Sequence, residues 1–339
     1  MTGRRNSADK ESAGFYGRDM VTIRPFEPSD IDQAGSLLAA RHAAHRLAHP
    51  LLSPRFEDPA AARVEVATAF GGDGASGAVA ERDGRLTGFL LGAPKASPLW
   101  GPNVWVESAG QAVDDPETMR DLYGLAAARW VDDGWTAHYV VTPTHDPALL
   151  DAWFRLGFGQ QHAHGLRDIP TTPPQPPDSI TIRPARRDDI DALTRLELAL
   201  PEHQGRSPVF SAGQVPTYDE ARAEWEDDFE DETYATFVAE LDGRVVGSAI
   251  GVALEKSSSH LGPARPDKAA FLGFAAVFPE ARGHGAGRAL GEAVGWWAAT
   301  SGFDCVVTDW RVTNLLSSRA WPRLGYATSF VRLHRLVGH

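Results

Sequence analysis

In the second half of the chain the hydrophobic positions switch between two periods, and each switch predicts a change of element. Phe237-Val238-Ala239 and Val245-Val246 flank Asp242-Gly243, the signature of a tight hairpin between strands at 234–240 and 244–253. Phe271 to Phe278 is an unbroken apolar run, too short for a helix and suited to a strand buried on both faces. From Gly285 the apolar residues Ala289, Leu290, Ala293, Val294, Trp297 and Ala298 keep helical spacing. A short strand at 180–183, a helix near 188–200, a strand at 304–310, a helix at 314–323 and a closing strand at 326–336 complete the set. Helices interleaved with a mixed, mostly antiparallel sheet predict an α+β domain.

The first half repeats this plan. Thr22-Ile23-Arg24-Pro25 followed by Asp30-Ile31-Asp32 returns as Thr181-Ile182-Arg183-Pro184 followed by Asp189-Ile190-Asp191, an offset of 159 residues from Arg24 to Arg183. Ala80-Glu81 with Asp83-Gly84-Arg85 returns at the same offset as Ala239-Glu240 with Asp242-Gly243-Arg244. Trp153-Phe154-Arg155-Leu156-Gly157-Phe158 parallels Trp321-Pro322-Arg323-Leu324-Gly325-Tyr326 at an offset of 168. The second copy therefore carries extra residues in between, and the polar, proline-containing stretch Glu255–Asp267 is where they fit. Two tandem domains are predicted, 21–169 and 180–339, joined by a proline-rich linker over 170–179 that favours extended geometry. Residues 1–20 lack periodicity and read as a mobile tail.

Composition narrows the function classes. The 339 residues carry a formal net charge of −12, which opposes binding to nucleic acid. Seven of the acids lie within Glu224–Glu232, a pattern that suits a solvated helix face or loop, or an electrostatic lure for polyamine-like substrates. The single cysteine, Cys305, sits in an apolar run and reads as a buried structural thiol. No apolar run is long enough for a membrane span and the first twenty residues lack a signal-peptide core, so a cytoplasmic protein is expected.

The chemically informative segment is Val277-Phe278-Pro279-Glu280-Ala281-Arg282-Gly283-His284-Gly285-Ala286-Gly287-Arg288. A buried strand runs through a glycine-rich turn into a helix, whose N-terminus with its free amides and partial positive charge can cradle a diphosphate. The segment resembles the acetyl-CoA-binding motif of the GNAT N-acetyltransferase superfamily: Arg282, Gly285 and Gly287 satisfy its arginine and glycine positions, and Val277 precedes the arginine by five residues. Asn314, Ser317, Gly325 and Tyr326 fit the superfamily's second motif. The resemblance covers 180–339 and implies acetyl-CoA or another acyl-CoA as cofactor. It implies that the backbone of Ala275, Ala276 and Val277 pairs with the pantetheine arm, that Gly283, His284, Gly285, Ala286, Gly287 and Arg288 hold the pyrophosphate beside Arg282, and that Asn314 and Ser317 steady the arm.

One position departs from the superfamily: Trp321 stands where a tyrosine usually protonates the leaving thiolate, and an indole N–H is a donor without being a usable acid. Transfer would rest on positioning and direct attack by an amine. Asp309, late in the strand before Asn314, is the first candidate for a general base, with Glu240 behind it. In the first copy the cradle position is rewritten as Asp114-Asp115-Pro116-Glu117, and Asp146 replaces the motif asparagine. Acids without glycines repel a diphosphate, so 21–169 is read as a degenerate copy that packs against its partner or completes its acceptor pocket. His42, His45 and His49 share one helical face and His162 and His164 alternate on a strand. A helix lining a cleft accounts for the first three, and no metal is assigned. The expected activity is acyl transfer from acyl-CoA to a small-molecule amine, with intramolecular packing of the two domains or a homodimer. The alternatives are a protein or peptide N-acetyltransferase and a non-catalytic acyl-CoA sensor.

Overall fold

The computed structural model describes residues 21–211, 213 and 215–338; the tail expected over 1–20 lies outside them. The first copy runs β1 (Thr22–Pro25), α1 (Ile31–Ala48), α2 (Pro59–Phe70), β2 (Ser76–Arg82), β3 (Arg85–Gly92), β4 (Asn103–Val106), β5 (Gln111–Val113), α3 (Thr118–Asp132), β6 (Ala137–Pro143), α4 (Pro147–Arg155) and β7 (Gly159–Asp168). The second runs β8 (Ile180–Pro184), α5 (Ile190–Gln204), α6 (Tyr218–Asp228), β9 (Tyr234–Leu241), β10 (Arg244–Ala253), β11 (Ala269–Val277), α7 (Ala286–Thr300), β12 (Cys305–Arg311), α8 (Ser317–Arg323) and β13 (Ala327–Leu336). Two α+β copies with mostly antiparallel strands are thus present.

The repeated sequence signatures build the same two joints in each copy. Asp83-Gly84 and Asp242-Gly243 all have positive φ, between 51° and 78°, as a two-residue turn matched to strand twist requires. The repeated arginine ties the first strand to the turn before the first helix and to the second strand. Arg24 lies 2.7 Å from Asp30 and 2.9 Å from Glu81; Arg183 lies 2.6 Å from both Asp189 and Glu240. Asp30 and Asp189 also accept backbone N–H bonds, from Glu27 and Arg186.

The copies do not keep their sheets apart. A four-stranded sheet, β1-β2-β3-β5, belongs to the first copy, but the other sheet has nine strands in the order β4-β6-β13-β7-β12-β11-β10-β9-β8. The closing strands are exchanged. β13 pairs antiparallel with β6 from Phe330↔Pro143 to Leu336↔Ala137, while β7 pairs antiparallel with β12 from Cys305↔Asp168 to Arg311↔His162. β7 and β13 then pair with each other. Val331 and Leu333 of β13 are accordingly buried in the first copy's core with Trp130, Trp153 and Tyr123. Ala163 of β7 is buried in the second copy's core with Trp310, Trp321 and Leu290. Each fully buried Leu or Val contributes about 1.5–3 kcal/mol, so each core draws stability from the other copy's strand.

The acidic run falls on α6 and the turn after it. Thr217 and Glu220 form a capping box at its start, and Arg222 holds Glu226 at 2.9 Å. Among the described residues no helix is long and apolar enough to cross a membrane.

Candidate active site

The site begins where two parallel strands part. β11 and β12 pair only from Ala269↔Cys305 to Leu272↔Thr308, and Thr308 Oγ1 donates to the Leu272 carbonyl at 2.9 Å at the last rung. Gly273 is an extra residue in β11, because the register with β10 jumps from Gly251↔Leu272 to Ile250↔Phe274. Such a bulge bends its strand and ends regular pairing. Beyond it β11 continues to Val277 and β12 to Arg311 without pairing, and the edge of Gly273–Val277 faces a cavity of about 660 Å³.

The cradle closes one end of this wedge. α7 starts after Gly285, which has φ +89° and offers no capping side chain, so the first-turn amides are left for a ligand. Gly283 also has φ +89°, with open space where a Cβ would stand. A Cβ on Gly285 would approach the Pro177 Cγ to 2.9 Å, so the linker packs against this glycine. Arg282, Gly283, Gly285, Ala286, Gly287 and Arg288 line the cavity with Ala275, Ala276 and Val277. His284 is not among the lining residues; its Nδ1 lies 3.3 Å from the Ala281 carbonyl. Opposite, Asn314 Oδ1 accepts from Leu316 N at 3.1 Å and lies 3.2 Å from His203 Nε2. Ser317 and buried Trp321 complete that wall, the indole edge-on to Tyr326 with centroids 5.8 Å apart.

At the root of the wedge the cavity meets a second one of about 240 Å³, and Asp309 and His162 line both. Asp309 lies 3.6 Å from His162 Nε2 and 3.6 Å from His260 Nε2, and the His164 and His260 rings lie tilted at 45° with centroids 4.4 Å apart. Burial pushes the Asp309 carboxyl up, but His260, His162 and His164 outweigh it and hold the group below its ordinary range. Burial also drives the His162 imidazole down to about 3, against the opposing pull of Asp309, so it is neutral at physiological pH. The second cavity draws Lys95, Trp100, Trp105 and Glu107 from the first copy. The second copy adds Arg332 and the loop Ser258–Leu261, which belongs to the stretch where the extra residues were expected. Ser108 Oγ donates to the Leu261 carbonyl at 2.8 Å and ties that loop to the first copy.

The acetyltransferase (GNAT) family model matches residues 198–326, which hold the bulge, the cradle and the Asn314 turn. The C-terminal half belongs to the GNAT family. Over the whole chain the fold is similar to that of a GCN5-related N-acetyltransferase from Sphaerobacter thermophilus, with 17% identity and a TM-score of 0.54 over 93% of this chain and 95% of that one. A tandem GNAT protein from the clavulanic acid biosynthesis pathway aligns at 16% identity and a TM-score of 0.46, over 94% of this chain and 99% of that one. An aminoglycoside N-acetyltransferase in complex with CoA aligns at 20% identity and a TM-score of 0.36, over 50% of this chain and 97% of its own. No curated protein sequence matches the chain.

The GNAT wedge has no open counterpart in the first copy. There the equivalent strand is broken into β4, paired with β6, and β5, paired with β3. The gap between β5 and β6 is filled by protein. Gln111 Nε2 donates to the Val141 carbonyl at 2.9 Å, Trp153 Nε1 donates to Gln111 Oε1 at 3.1 Å, and the buried Arg41 guanidinium donates to the carbonyls of Ser108 and Gln111. Asp146, at the position of Asn314, caps α4 through Ala148 N at 2.9 Å.

Among the predicted catalytic residues, Asp309 stands at the junction and Glu240 does not. Glu240 is held by Arg183 in the joint described above and lines neither cavity. The acids of Glu224–Glu232 also lie outside both cavities. His42 and His45 face inward, against Phe56, His145 and Phe330. Among the described residues no cluster has the makings of a metal site. Burial pushes the Cys305 thiol up to about 12, in the paired part of the sheet, so it is no nucleophile. Sequence reasoning missed Arg311, Arg332 and the junction role of His162; the alternation of His162 and His164 was the available signal, without the register that gives it meaning.

Proposed function

We propose that the chain transfers an acetyl or short acyl group from acyl-CoA to the amine of a small molecule, by direct attack at the root of the wedge. The observation that carries this reading is the junction: a cleft with the features of an acyl-CoA site shares Asp309 and His162 with a smaller cavity lined by both copies. The residues present fit the cofactor. Uncapped amides of α7 with Arg282 and Arg288 suit a diphosphate, and the unpaired edge of Gly273–Val277 suits the amides of a pantetheine arm.

When bound, acyl-CoA supplies a thioester whose C–S bond is exchanged for a C–N bond to the acceptor. A backbone N–H of Ala275–Val277 would polarise the thioester carbonyl. Trp321 excludes water and supports the wall, and the thiolate leaves without a side-chain acid because it is stable near neutral pH. Asp309, held ionised by the imidazoles around it, accepts a hydrogen bond from the incoming amine and orients it. Its depressed pKa suits that anchoring role, and the amine's proton passes to bulk solvent.

The test is a panel of amines mixed with acetyl-CoA and the full chain, read by free-thiol release. Thiol release with small amines supports the proposal. Tight acetyl-CoA binding with no release on any amine would convert the reading to a sensor, and release on peptide amines alone would convert it to a peptide acetyltransferase.

A further inference from the structure

Where the two cavities meet, one row of side chains crosses the sheet. Arg311 of β12 stands opposite His162 of β7, and His162 stands opposite Arg332 of β13. Two guanidiniums therefore flank a neutral imidazole. Arg311 lines the larger cavity, Arg332 the smaller, and His162 both.

Among the described residues neither guanidinium forms an ion pair with a carboxylate. Arg332 Nε donates to Gln161 Oε1 at 2.8 Å, and the guanidinium lies 5.1 Å and 5.3 Å from the ring centroids of Trp100 and Trp105, with both Nη groups left for another acceptor. Arg311 Nη1 is shut off from solvent without a partner. Lys95, the other cation of the small cavity, is already paired with Glu107. The contrast with Arg24 and Arg183, each held between two carboxylates, is plain. Burial lowers the Arg332 guanidinium to about 10 and lowers Arg311 as well, and Arg311 adds to the effect on Arg332. Two half-buried like charges facing a cavity are costly until an anion enters.

We propose that Arg311 and Arg332 form an anion seat in the acceptor site, and that the acceptor is a small amine bearing a carboxylate, an amino acid with its amine directed at Asp309. This rests on the acyl-transfer reading above. Asp309 and Arg311 are two residues apart on one face of β12, a span of roughly 7 Å that an α-amino acid bridges with one hydrogen bond at each end. Trp100 and Trp105 wall the space left for its side chain.

The experiment compares amino acids with their decarboxylated counterparts on the full chain: L-phenylalanine with phenethylamine, L-tryptophan with tryptamine, and L-lysine with cadaverine. Thiol release from acetyl-CoA gives kcat/KM, and calorimetry on the CoA-loaded protein gives affinity without turnover. In at least one pair the acid-bearing member is preferred by roughly ten- to a hundredfold, the range of a charge-assisted hydrogen-bonded contact. Arg332→Gln and Arg311→Gln each erase most of that preference by raising KM, with acetyl-CoA affinity unchanged. Arg332→Lys, which keeps the charge without the fork, retains part of it. Equal or better use of the decarboxylated members, or no binding of any amino acid, overturns the seat. Weakened acetyl-CoA binding in Arg311→Gln with the preference intact also overturns it, by assigning Arg311 to the donor. Amino acids that bind without thiol release would leave the seat standing and defeat the transferase reading instead.

Discussion

Replacing Gly285 with alanine tests whether the cradle depends on one backbone conformation. Gly285 has φ +89°, where an L-residue costs about 1–2 kcal/mol, and the new Cβ would lie 2.9 Å from Pro177 Cγ, so one of the two must move. Pro177 belongs to the linker and can yield, which leaves the backbone strain as the main cost, about 2 kcal/mol. If the free protein relieves that strain by tilting Gly283–Gly285 out of place, binding must restore it. At 1.4 kcal/mol per decade, acetyl-CoA affinity then falls by roughly 30-fold. Calorimetry with acetyl-CoA reads this directly, and a thermal melt reports any part of the strain retained in the free state. Gly287→Ala separates bulk from strain: it lies in the first turn of α7 and its Cβ would meet Val277 at an ordinary 3.6 Å, so any affinity it loses comes from a methyl group in the cradle and not from backbone strain. A Gly285→Ala protein with wild-type affinity and wild-type melting would refute the claim that this conformation matters.

Asp309→Asn keeps the shape of the junction and removes the charge; turnover on the best amine falls by about a hundredfold or more while acetyl-CoA affinity holds, and equal loss of both would move Asp309 to the donor site. Glu240→Gln leaves kcat unchanged and lowers the melting temperature, because its partner Arg183 is left half-satisfied; a selective loss of kcat would restore Glu240 as a base. Acid weakens the fold through buried neutral histidines. His42, its Nε2 2.7 Å from the Ser53 carbonyl, is pushed by burial from 6.5 down to about 4, so its stability contribution is full above 6.5 and lost as pH falls toward 4. The loss is on the order of 3 kcal/mol; urea midpoints between pH 7 and 4.5 show it, and His42→Gln flattens that slope. A chain nicked within 170–179 stays associated on gel filtration without denaturant, because β7 and β13 each lie between strands of the other copy; separation into two species would disprove the exchange.

What the sequence disclosed follows from the range of the interactions involved. The Asp-Gly hairpins, the buried run that became β11 and the helix after Gly285 are local, and periodicity with turn chemistry locates them within a residue or two. The cradle was legible for the same reason, since Arg282 to Arg288 are contiguous. Arg24 and Arg183 were visible as repeats, but the second carboxylate partner of each lies 57 residues downstream, so the pairing of Glu240 with Arg183 was not legible. The exchange of β7 and β13 left no mark in hydrophobic pattern, because either strand suits either slot. The row Arg311–His162–Arg332 exists only once that pairing is known. The small cavity was equally hidden, since its walls come from residues 95–108, 141, 162–164, 258–264, 309 and 332.

The exchanged strands also set a timetable for synthesis. β6 acquires its neighbour β13 only when residues 327–336 leave the ribosome, and β7 waits for β12 and β13. At about 5–20 residues per second, the roughly 160 residues from Asp168 to Ala327 take on the order of ten to thirty seconds. For that interval the first copy carries open strand edges and an unfinished core that lacks Val331 and Leu333. A nascent chain in this state invites mispairing with another copy on the same polysome. Termination just before β13 leaves the four-stranded sheet whole but divides the nine-stranded one between β6 and β7, so the two copies complete their shared sheet only together.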